Sequence, residues 1–124
     1  MSPRILYVDD EADLVELASS FFEDSEIPID TSTDFQHALN LIRKNDYDII
    51  ISDVNMPTGS GHELYATIKK ENIFHGKFVL VTGNSPANED TSGYELVILK
   101  PIDFMDLVEE IKKMLYSSSS SIGQ

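Results

Sequence analysis

The sequence predicts an α/β fold, a doubly wound five-stranded parallel sheet with helices on both faces. Two observations predict it. Short apolar runs of strand type alternate along the chain with segments whose apolar residues recur at helical spacing. One of these runs, Ile49–Ile51, is a continuous β-branched stretch that suits a strand buried on both faces. The 124 residues are enough for one domain with its own core, which we expect to occupy residues 1–116.

The first half of the chain supplies three strands and two helices. Residues 5–8 form the first strand candidate, and 27–31 the second, where Pro28 removes an amide donor and predicts a sheet edge. Thr33 or Asp34 can cap the second helix, and the strand that ends near Asp53 follows it. The first helix begins at Ala12, and its predicted inward residues are Leu14, Val15, Leu17, Ala18, Phe21 and Phe22.

The second half supplies the remaining elements. Leu64, Tyr65 and Ile68 mark a helix, and residues 77–81 and 96–99 are strand candidates. Between those strands, 84–93 contains one alanine and no larger aliphatic residue, so we expect a short or degraded helix there. We expect residues 117–124 to be a flexible serine-rich tail. Asp103 caps the last helix, and its predicted core residues are Met105, Leu107, Val108, Ile111, Met114 and Leu115.

Polar residues follow the strands at the point where each one ends. Five strands with right-handed crossovers and no glycine-rich dinucleotide motif favour the flavodoxin-like strand order 2-1-3-4-5. In that order the first and third strands are neighbours, so Asp9 and Asp10 should lie close to Asp53. Thr82 and Lys100 end the fourth and fifth strands at the same edge. Ligands bind at this edge in open α/β sheets, and the five polar residues therefore predict a functional site.

The residue types at this edge indicate metal-assisted phosphoryl chemistry. Three carboxylates a few ångströms apart repel one another unless a cation neutralises them, and oxygen donors without His or Cys favour Mg²⁺. An aspartate beside such a metal can attack phosphorus and form an acyl phosphate. The three oxygens of the transferred group then need partners, and the metal, the Lys100 ammonium and the Thr82 hydroxyl can supply them.

Several short motifs, each weak by itself, occur together and in order: Asp9-Asp10, Asp53, Met56-Pro57, Gly61, Thr82 and Lys100-Pro101. On these residues the chain, up to about Tyr116, resembles the receiver domain of two-component response regulators, the CheY-like family. The resemblance implies that Asp53 is the phosphoacceptor. It also implies that Mg²⁺ is bound by Asp53, by Asp10 directly, by Asp9 mainly through water, and by the backbone carbonyl of Asn55.

The resemblance further implies the partners. The phosphoryl group would come from a phosphohistidine on a sensor histidine kinase or a histidine phosphotransfer protein, which would dock largely on the helix that begins at Ala12. Lys100 would pair with Asp53 or its phosphoryl group, and Thr82 would move toward that group. The output would be binding to an unknown downstream protein. The domain would not be an enzyme beyond catalysing its own phosphorylation and dephosphorylation.

One departure from the family concerns the switch. An aromatic residue usually stands three positions before the lysine, whereas this chain has Val97 there and Tyr94 three residues earlier. Two alternatives therefore stay open. One is a pseudo-receiver that binds proteins independently of phosphorylation. The other is a Mg²⁺-dependent phosphatase with an aspartyl nucleophile, which commonly needs an acid where Asn55 stands. A flavin-binding flavodoxin is disfavoured because the loop after the first strand is acidic.

Charge and composition restrict the remaining classes. The formal net charge is −13, from 22 acidic residues against 9 Lys plus Arg, which disfavours direct nucleic-acid binding. The chain has no cysteine, no apolar stretch of about 20 residues and no signal peptide pattern, so a cytoplasmic location is expected, without a membrane interaction. His37, His62 and His75 have no metal-ligand spacing and are predicted to lie at the surface.

Overall fold

The computed structural model describes residues 3–56, 58–83 and 93–122, and it describes side chains as far as residue 116. In chain order the elements are β1 (Ile5–Val8), α1 (Ala12–Asp24), β2 (Ile29–Ser32), α2 (Phe35–Lys44), β3 (Ile49–Asp53), α3 (Gly61–Lys70), β4 (Lys77–Thr82), β5 (Leu96–Leu99) and α4 (Phe104–Ile122). Strands and helices alternate from β1 to β4, as the sequence predicts, and residues 84–92 between β4 and β5 lie outside the described part of the chain.

The five strands form one parallel sheet in the order β2-β1-β3-β4-β5, which confirms the predicted order. The register pairs Val8 with Ser52 and Asp53 with Val81, so β1, β3 and β4 end near one another. β2 lies at an edge, as Pro28 predicts, but it begins at Ile29 rather than at residue 27. The reason is that Ile27 follows the end of α1 and its amide donates back to the Phe22 carbonyl of that helix, which keeps it out of the sheet.

The sheet separates two apolar cores, so helices cover both faces as predicted. Alternate residues of the β-branched run point in opposite directions, with Ile49 and Ile51 in one core and Ile50 in the other. The first core includes side chains of α1 and α4, and the second includes side chains of α2 and α3. Asp53 is the last residue of β3, so both cores hold the strand that carries it in place.

Local sequence sets the helix starts that flank the site. The Asp34 side chain accepts the His37 amide and caps α2. Ser60 and Glu63 form a reciprocal capping box at the start of α3. Gly61 is required there for a steric reason, because a Cβ atom at this position would lie 2.6 Å from the carbonyl oxygen of Asp53. The glycine therefore lets α3 begin directly against the end of β3.

Two apolar side chains that were predicted to face the core are exposed instead. Leu17 is 44% exposed and Met105 is 69% exposed. In α4 the inward position belongs to Phe104, which is buried and stacks on Phe21 with 5.7 Å between ring centroids. The predicted α4 stripe was therefore wrong at its first position, since a shift of one residue turns a side chain by about 100° around the helix.

Three predictions concern chain segments at the margins of the described structure. α4 continues to Ile122 and so includes part of the predicted tail, because serine is a tolerable helix residue and no Gly or Pro intervenes before Gly123. The flexibility of residues 117–124 stays a prediction. The predicted weak helix at 84–93 lies outside the described residues except for Gly93, and Pro57 lies outside them as well. In the described part of the chain, every helix is too short or too polar to cross a membrane.

Candidate functional site

Three carboxylates meet where β1 and β3 end, as the predicted strand order requires. Asp9 directly follows β1 and is 1% exposed, and Asp53 ends β3 and is 2% exposed. Asp10 is exposed. One carboxylate oxygen from each residue lies within 4.8 Å of the others. Two of the three acids are thus almost fully removed from water while they stand beside like charges, which is unfavourable without a compensating cation.

Lys100 supplies one positive charge at this cluster. Its Nζ lies 2.9 Å from Asp53 Oδ2 in an ion pair with one buried and one partly exposed partner. The Lys100 amide donates to the Thr82 carbonyl, which extends the β4–β5 ladder by one residue and fixes the start of the lysine side chain. The Lys100-Pro101 peptide bond is cis. Partial burial alone would lower the pKa of Lys100, but the hydrogen bond and charge of Asp53, with Asp9 and Glu11, raise it.

The surroundings of Asp9 favour its protonated form. Burial, reinforced by the charges of Asp53 and Asp10, raises its pKa to about 6, although the Glu11 amide and Lys100 act in the opposite direction. Its Oδ1 accepts the Glu11 amide at 3.0 Å, and its Oδ2 lies 3.4 Å from the Tyr7 hydroxyl. One ammonium among three carboxylates leaves an excess of negative charge, which adds to the effect of burial on the pKa of Asp9.

The other two predicted residues also lie at this edge. Thr82 ends β4 and is fully buried. Asn55 is exposed, and its amide lies 3.4 Å from Asp53 Oδ1 as a long hydrogen bond. The structure therefore brings all six predicted site residues to the carboxyl edge of the sheet. The roles assigned to them, including the carbonyl of Asn55 as a metal ligand, stay predictions.

The donor set fits a hard divalent cation. In the described parts of the chain the clustered ligating side chains are three aspartates, and no histidine belongs to the group. Oxygen-only sets of this kind suit Mg²⁺, which binds few protein carboxylates and shares the rest of its coordination with water and phosphate. Asp10 is exposed, so the cluster is accessible to solvent on that side.

Two residues near the cluster were not predicted. Tyr7 contacts Asp9 through its hydroxyl, and Glu11 holds the same carboxylate through its amide. Tyr7 stands two residues before Asp9, and side chains at that spacing in an extended segment share one side of the sheet, so strand periodicity could have identified it. The contact from Glu11 is a backbone hydrogen bond to the side chain two residues earlier, a turn that aspartate commonly forms before a helix, so Asp9 itself could have indicated it.

Val97 stands where the family usually has an aromatic residue, and the nearby Tyr94 packs in the same core. Val97 is partly buried in the same core as Tyr94, whose ring packs on Tyr65 and Phe78 at centroid distances of 4.7 and 5.5 Å. The Tyr94 hydroxyl lies 2.6 Å from His62 Nδ1. His37 and His75 are exposed as predicted, and His62 is partly buried because it packs against Tyr94. Tyr94 thus supplies an aromatic ring to the core that Val97 also contacts.

An apolar cleft of about 460 Å³ adjoins the cluster on the side of α1 and the start of α4. The exposed Leu17 lines it together with Leu14, Lys100, Pro101, Ile102 and Phe104. Because Lys100 belongs both to this cleft and to the ion pair with Asp53, any molecule that fills the cleft lies next to the carboxylates.

Comparisons with known proteins agree with this geometry. A protein-family model described as the response regulator receiver domain matches residues 5–112. Among curated proteins, the response regulator SaeR of Staphylococcus aureus (strain USA300) is 28% identical over 116 residues, which cover 90% of this chain and 50% of SaeR. The chain thus spans about half the length of the curated relatives it matches.

Solved structures show the same similarity over most of the chain. A CheY-like receiver domain protein from Methanospirillum hungatei JF-1 superimposes with a TM-score of 0.85 at 26% identity, covering 98% of this chain and 99% of that one. TrrA of Thermotoga maritima, crystallised in complex with Mg²⁺ and BeF, gives 0.79 at 31% identity, covering 90% and 98%. TrrA in complex with the histidine kinase ThkA gives 0.79 at 32% identity, covering 91% and 98%.

Proposed function

The chain belongs to the response regulator receiver domains, and from this premise we propose that it acts in phosphorelay signalling by Mg²⁺-dependent phosphorylation of Asp53. One observation carries the assignment of the site. The buried Asp53 carboxylate lies within 4.8 Å of the Asp9 and Asp10 oxygens and 2.9 Å from the Lys100 ammonium. A structural ion pair would need only one acid. The two additional acids support a site that binds a cation and a phosphoryl group.

Asp9, Asp10 and Asp53 would hold the metal, with the carbonyl of Asn55 as a further ligand. The fit rests on the all-oxygen donor set of three neighbouring acids, where burial first, and then the charges of Asp53 and Asp10, raise the pKa of Asp9. When bound, Mg²⁺ would neutralise the acids and polarise the phosphoryl oxygens. A cation at this position also removes the repulsion that otherwise keeps an anionic phosphodonor away.

The chain's own residues would carry the transfer. An oxygen of the Asp53 carboxylate attacks phosphorus, the phosphorus–nitrogen bond of the donor phosphohistidine breaks, and its electron pair stays on the imidazole nitrogen. The product is an acyl phosphate on Asp53. Lys100, already paired with Asp53, would follow the new charge onto a phosphoryl oxygen, and the Thr82 hydroxyl would serve another.

The proposed donor is a phosphohistidine on a sensor histidine kinase or a histidine phosphotransfer protein. The similar protein TrrA was crystallised with a histidine kinase, which supports this class of partner. In this chain the apolar cleft beside Lys100 and the exposed Leu17 on α1 support docking along α1. A downstream protein would read the phosphorylated state. A cytoplasmic location and the lack of nucleic-acid binding by this domain belong to the same proposal.

The test is phosphorylation by a small donor. Incubation with acetyl phosphate and Mg²⁺ should add one phosphoryl group, detected by intact-protein mass spectrometry, and EDTA should prevent the gain. The Asp53→Asn variant should gain nothing. A matched control is Asp46→Asn, since Asp46 is exposed and precedes the opposite end of β3. Absence of any Mg²⁺-dependent gain in the wild-type protein would sink the proposal.

One observation favours a second candidate, the pseudo-receiver. Val97 cannot act as an aromatic switch, and Tyr94 is held by packing and by His62. A pseudo-receiver would bind its partner equally well with and without phosphodonor, and mass spectrometry would detect no phosphoryl group. The phosphatase alternative is weaker, because Asn55 stands where such an enzyme needs an acid. We propose that the chain's catalysis is limited to its own phosphorylation and dephosphorylation.

A further inference from the structure

The loop that follows the proposed phosphoacceptor is held by an aromatic ring from another helix. This β3–α3 loop comprises residues 54–60, and Phe35 is the first residue of α2. A Cβ atom built on Gly59 would lie 2.6 Å from Cδ2 and 2.8 Å from Cγ of Phe35. These distances are shorter than side-chain carbons tolerate. The Phe35 ring therefore occupies the space that any side chain at position 59 would need.

The contact explains why position 59 is a glycine. Among the described residues, a positive φ angle occurs at Glu26, Asn72 and Gly93, and not at Gly59. Backbone conformation therefore does not require the glycine, whereas the ring does. Gly93, in contrast, has a φ of 88°, a backbone conformation that favours glycine over other residues. The ring and the backbone at Gly59 are thus in direct contact, so the position of the loop is coupled to that of the ring.

Phe35 is itself held firmly. The cap formed by Asp34, which accepts the His37 amide at 2.8 Å, fixes the helix turn from which the ring projects. Phe35 and Met56 both pack against the core on this face of the sheet. The ring thus contacts Gly59 near the end of the loop, and it packs against the same core as Met56 near the start of the loop.

The same loop carries the backbone beside Asp53. Its two ends are joined by a hydrogen bond from the Gly61 amide to the Val54 carbonyl at 2.9 Å. Within it, the Gly59 amide is 3.4 Å from the Met56 carbonyl, which is a long hydrogen bond. The Asn55 amide lies 3.4 Å from Asp53 Oδ1, which is also a long hydrogen bond. At the start of the loop the Val54 amide donates to the Val81 carbonyl of β4 at 2.8 Å, and near its end the Phe35 ring lies against Gly59.

We propose that Phe35 is a positioning residue for the metal site, whose ring keeps the β3–α3 loop in the conformation that presents the Asn55 carbonyl to Mg²⁺. The inference rests on the proposed function, because it assumes that the site binds Mg²⁺. The carboxylates come from the ends of β1 and β3 and do not depend on the loop. Loss of the ring therefore weakens metal binding and leaves the fold and the Asp53–Lys100 pair in place.

The test is a Mg²⁺ titration followed by two-dimensional NMR of backbone amides, which yields both the dissociation constant and the response of Asn55. Phe35→Ala should weaken Mg²⁺ binding by about 10-fold, the lower end of the effect expected for groups that orient metal ligands. Phe35→Leu should lie between this variant and the wild type. Leu41→Ala is the matched control, since Leu41 is also partly buried in the same core but lies later in α2. It should bind Mg²⁺ as the wild type does.

A double-mutant cycle separates positioning from general loss of packing. Gly59→Ala should weaken Mg²⁺ binding in the wild-type background, because the new methyl group displaces the ring or the loop. In the Phe35→Ala background the space is free, and the same substitution should have little further effect. If Phe35→Ala does not fold, Gly59→Ala and Phe35→Leu decide the question.

The outcomes are distinguishable. If the wild-type protein fails to bind Mg²⁺, the proposed function fails, and this inference fails with it. If the wild type binds Mg²⁺ but Phe35→Ala and Gly59→Ala bind it equally well, only the role of Phe35 is overturned. Additive effects of the two substitutions would also overturn it, because the ring and the glycine would then act independently.

Discussion

Replacement of Asp9 by asparagine should make the metal-free protein more stable at neutral pH. The Asp9 carboxyl is 1% exposed, and its pKa is raised from 3.8 to about 6, first by burial and then by Asp53 and Asp10. That rise is about two pKa units at 1.36 kcal/mol each, so ionising Asp9 costs the fold up to about 3 kcal/mol. Asparagine avoids this cost and still offers an oxygen to the Glu11 amide.

The pH dependence follows from the direction of the shift. Because the pKa of Asp9 is higher in the folded protein, the unfolded chain holds fewer protons between about pH 4 and pH 6. Wild-type stability should therefore fall as the pH rises through this window. The Asp9→Asn variant lacks that contribution. The two proteins should be similar near pH 4 and differ most at neutral pH.

The assay is urea denaturation in EDTA, followed by circular dichroism, at acidic and neutral pH. Asp24→Asn is a suitable control, because Asp24 is an exposed acid at the end of α1. Added Mg²⁺ should stabilise the wild type and should stabilise Asp9→Asn much less, since ligand binding to the folded state raises its stability. An Asp9→Asn variant that is less stable than the wild type at neutral pH in EDTA would refute the reasoning.

Three further predictions concern neighbours of the site. Lys100→Met should destabilise the metal-free protein by up to about 3 kcal/mol, because the buried Asp53 loses its partner, and urea denaturation will measure the loss. Gly61→Ala should cost about 1–3 kcal/mol in thermal denaturation, because its methyl group meets the Asp53 carbonyl. Its control is Gly83→Ala, which should be near neutral because a Cβ there would meet none of the described atoms within 4 Å. Tyr94→Phe should cost about 1 kcal/mol for its lost hydrogen bond, and an unchanged unfolding midpoint would contradict this.

The location of the site could be predicted because it depends on strand polarity. Once the chain alternates strand and helix, the sheet must be parallel, and every strand must end at one edge. Asp9, Asp53 and Lys100 each directly follow or end an apolar run, so their meeting required only the strand order. No side-chain conformation had to be known in advance.

Features that depend on packing could not be predicted in the same way. Both Phe104 and Met105 are apolar, and the choice of which one faces the core depends on the rotation of α4 against Phe21. The contact of Tyr94 with His62 joins residues 32 positions apart, and neither residue type signals the other. The pairing of Gly59 with Phe35 is of the same kind, since a glycine in a loop usually indicates a turn.

The packing of Tyr94 indicates where a response to phosphorylation should appear. Its ring contacts Tyr65, Phe78 and His62, and its hydroxyl lies 2.6 Å from His62 Nδ1. Moving it would forfeit about 3 kcal/mol, from three ring contacts and one hydrogen bond, and phosphorylation would have to supply that difference.

Lys100 already contacts Asp53, and both Gly83 and Lys100 line the cleft beside α1. A response at these two residues therefore does not require the Tyr94 contacts to be broken. We therefore expect phosphorylation to shift the Gly83 amide resonance in NMR spectra and to leave the Tyr94 ring resonances in place. The opposite pattern would show that Tyr94 carries the signal despite its contacts. The expected pattern would place the response in the cleft proposed for the phosphodonor, so that transfer itself changes the surface from which the donor must dissociate.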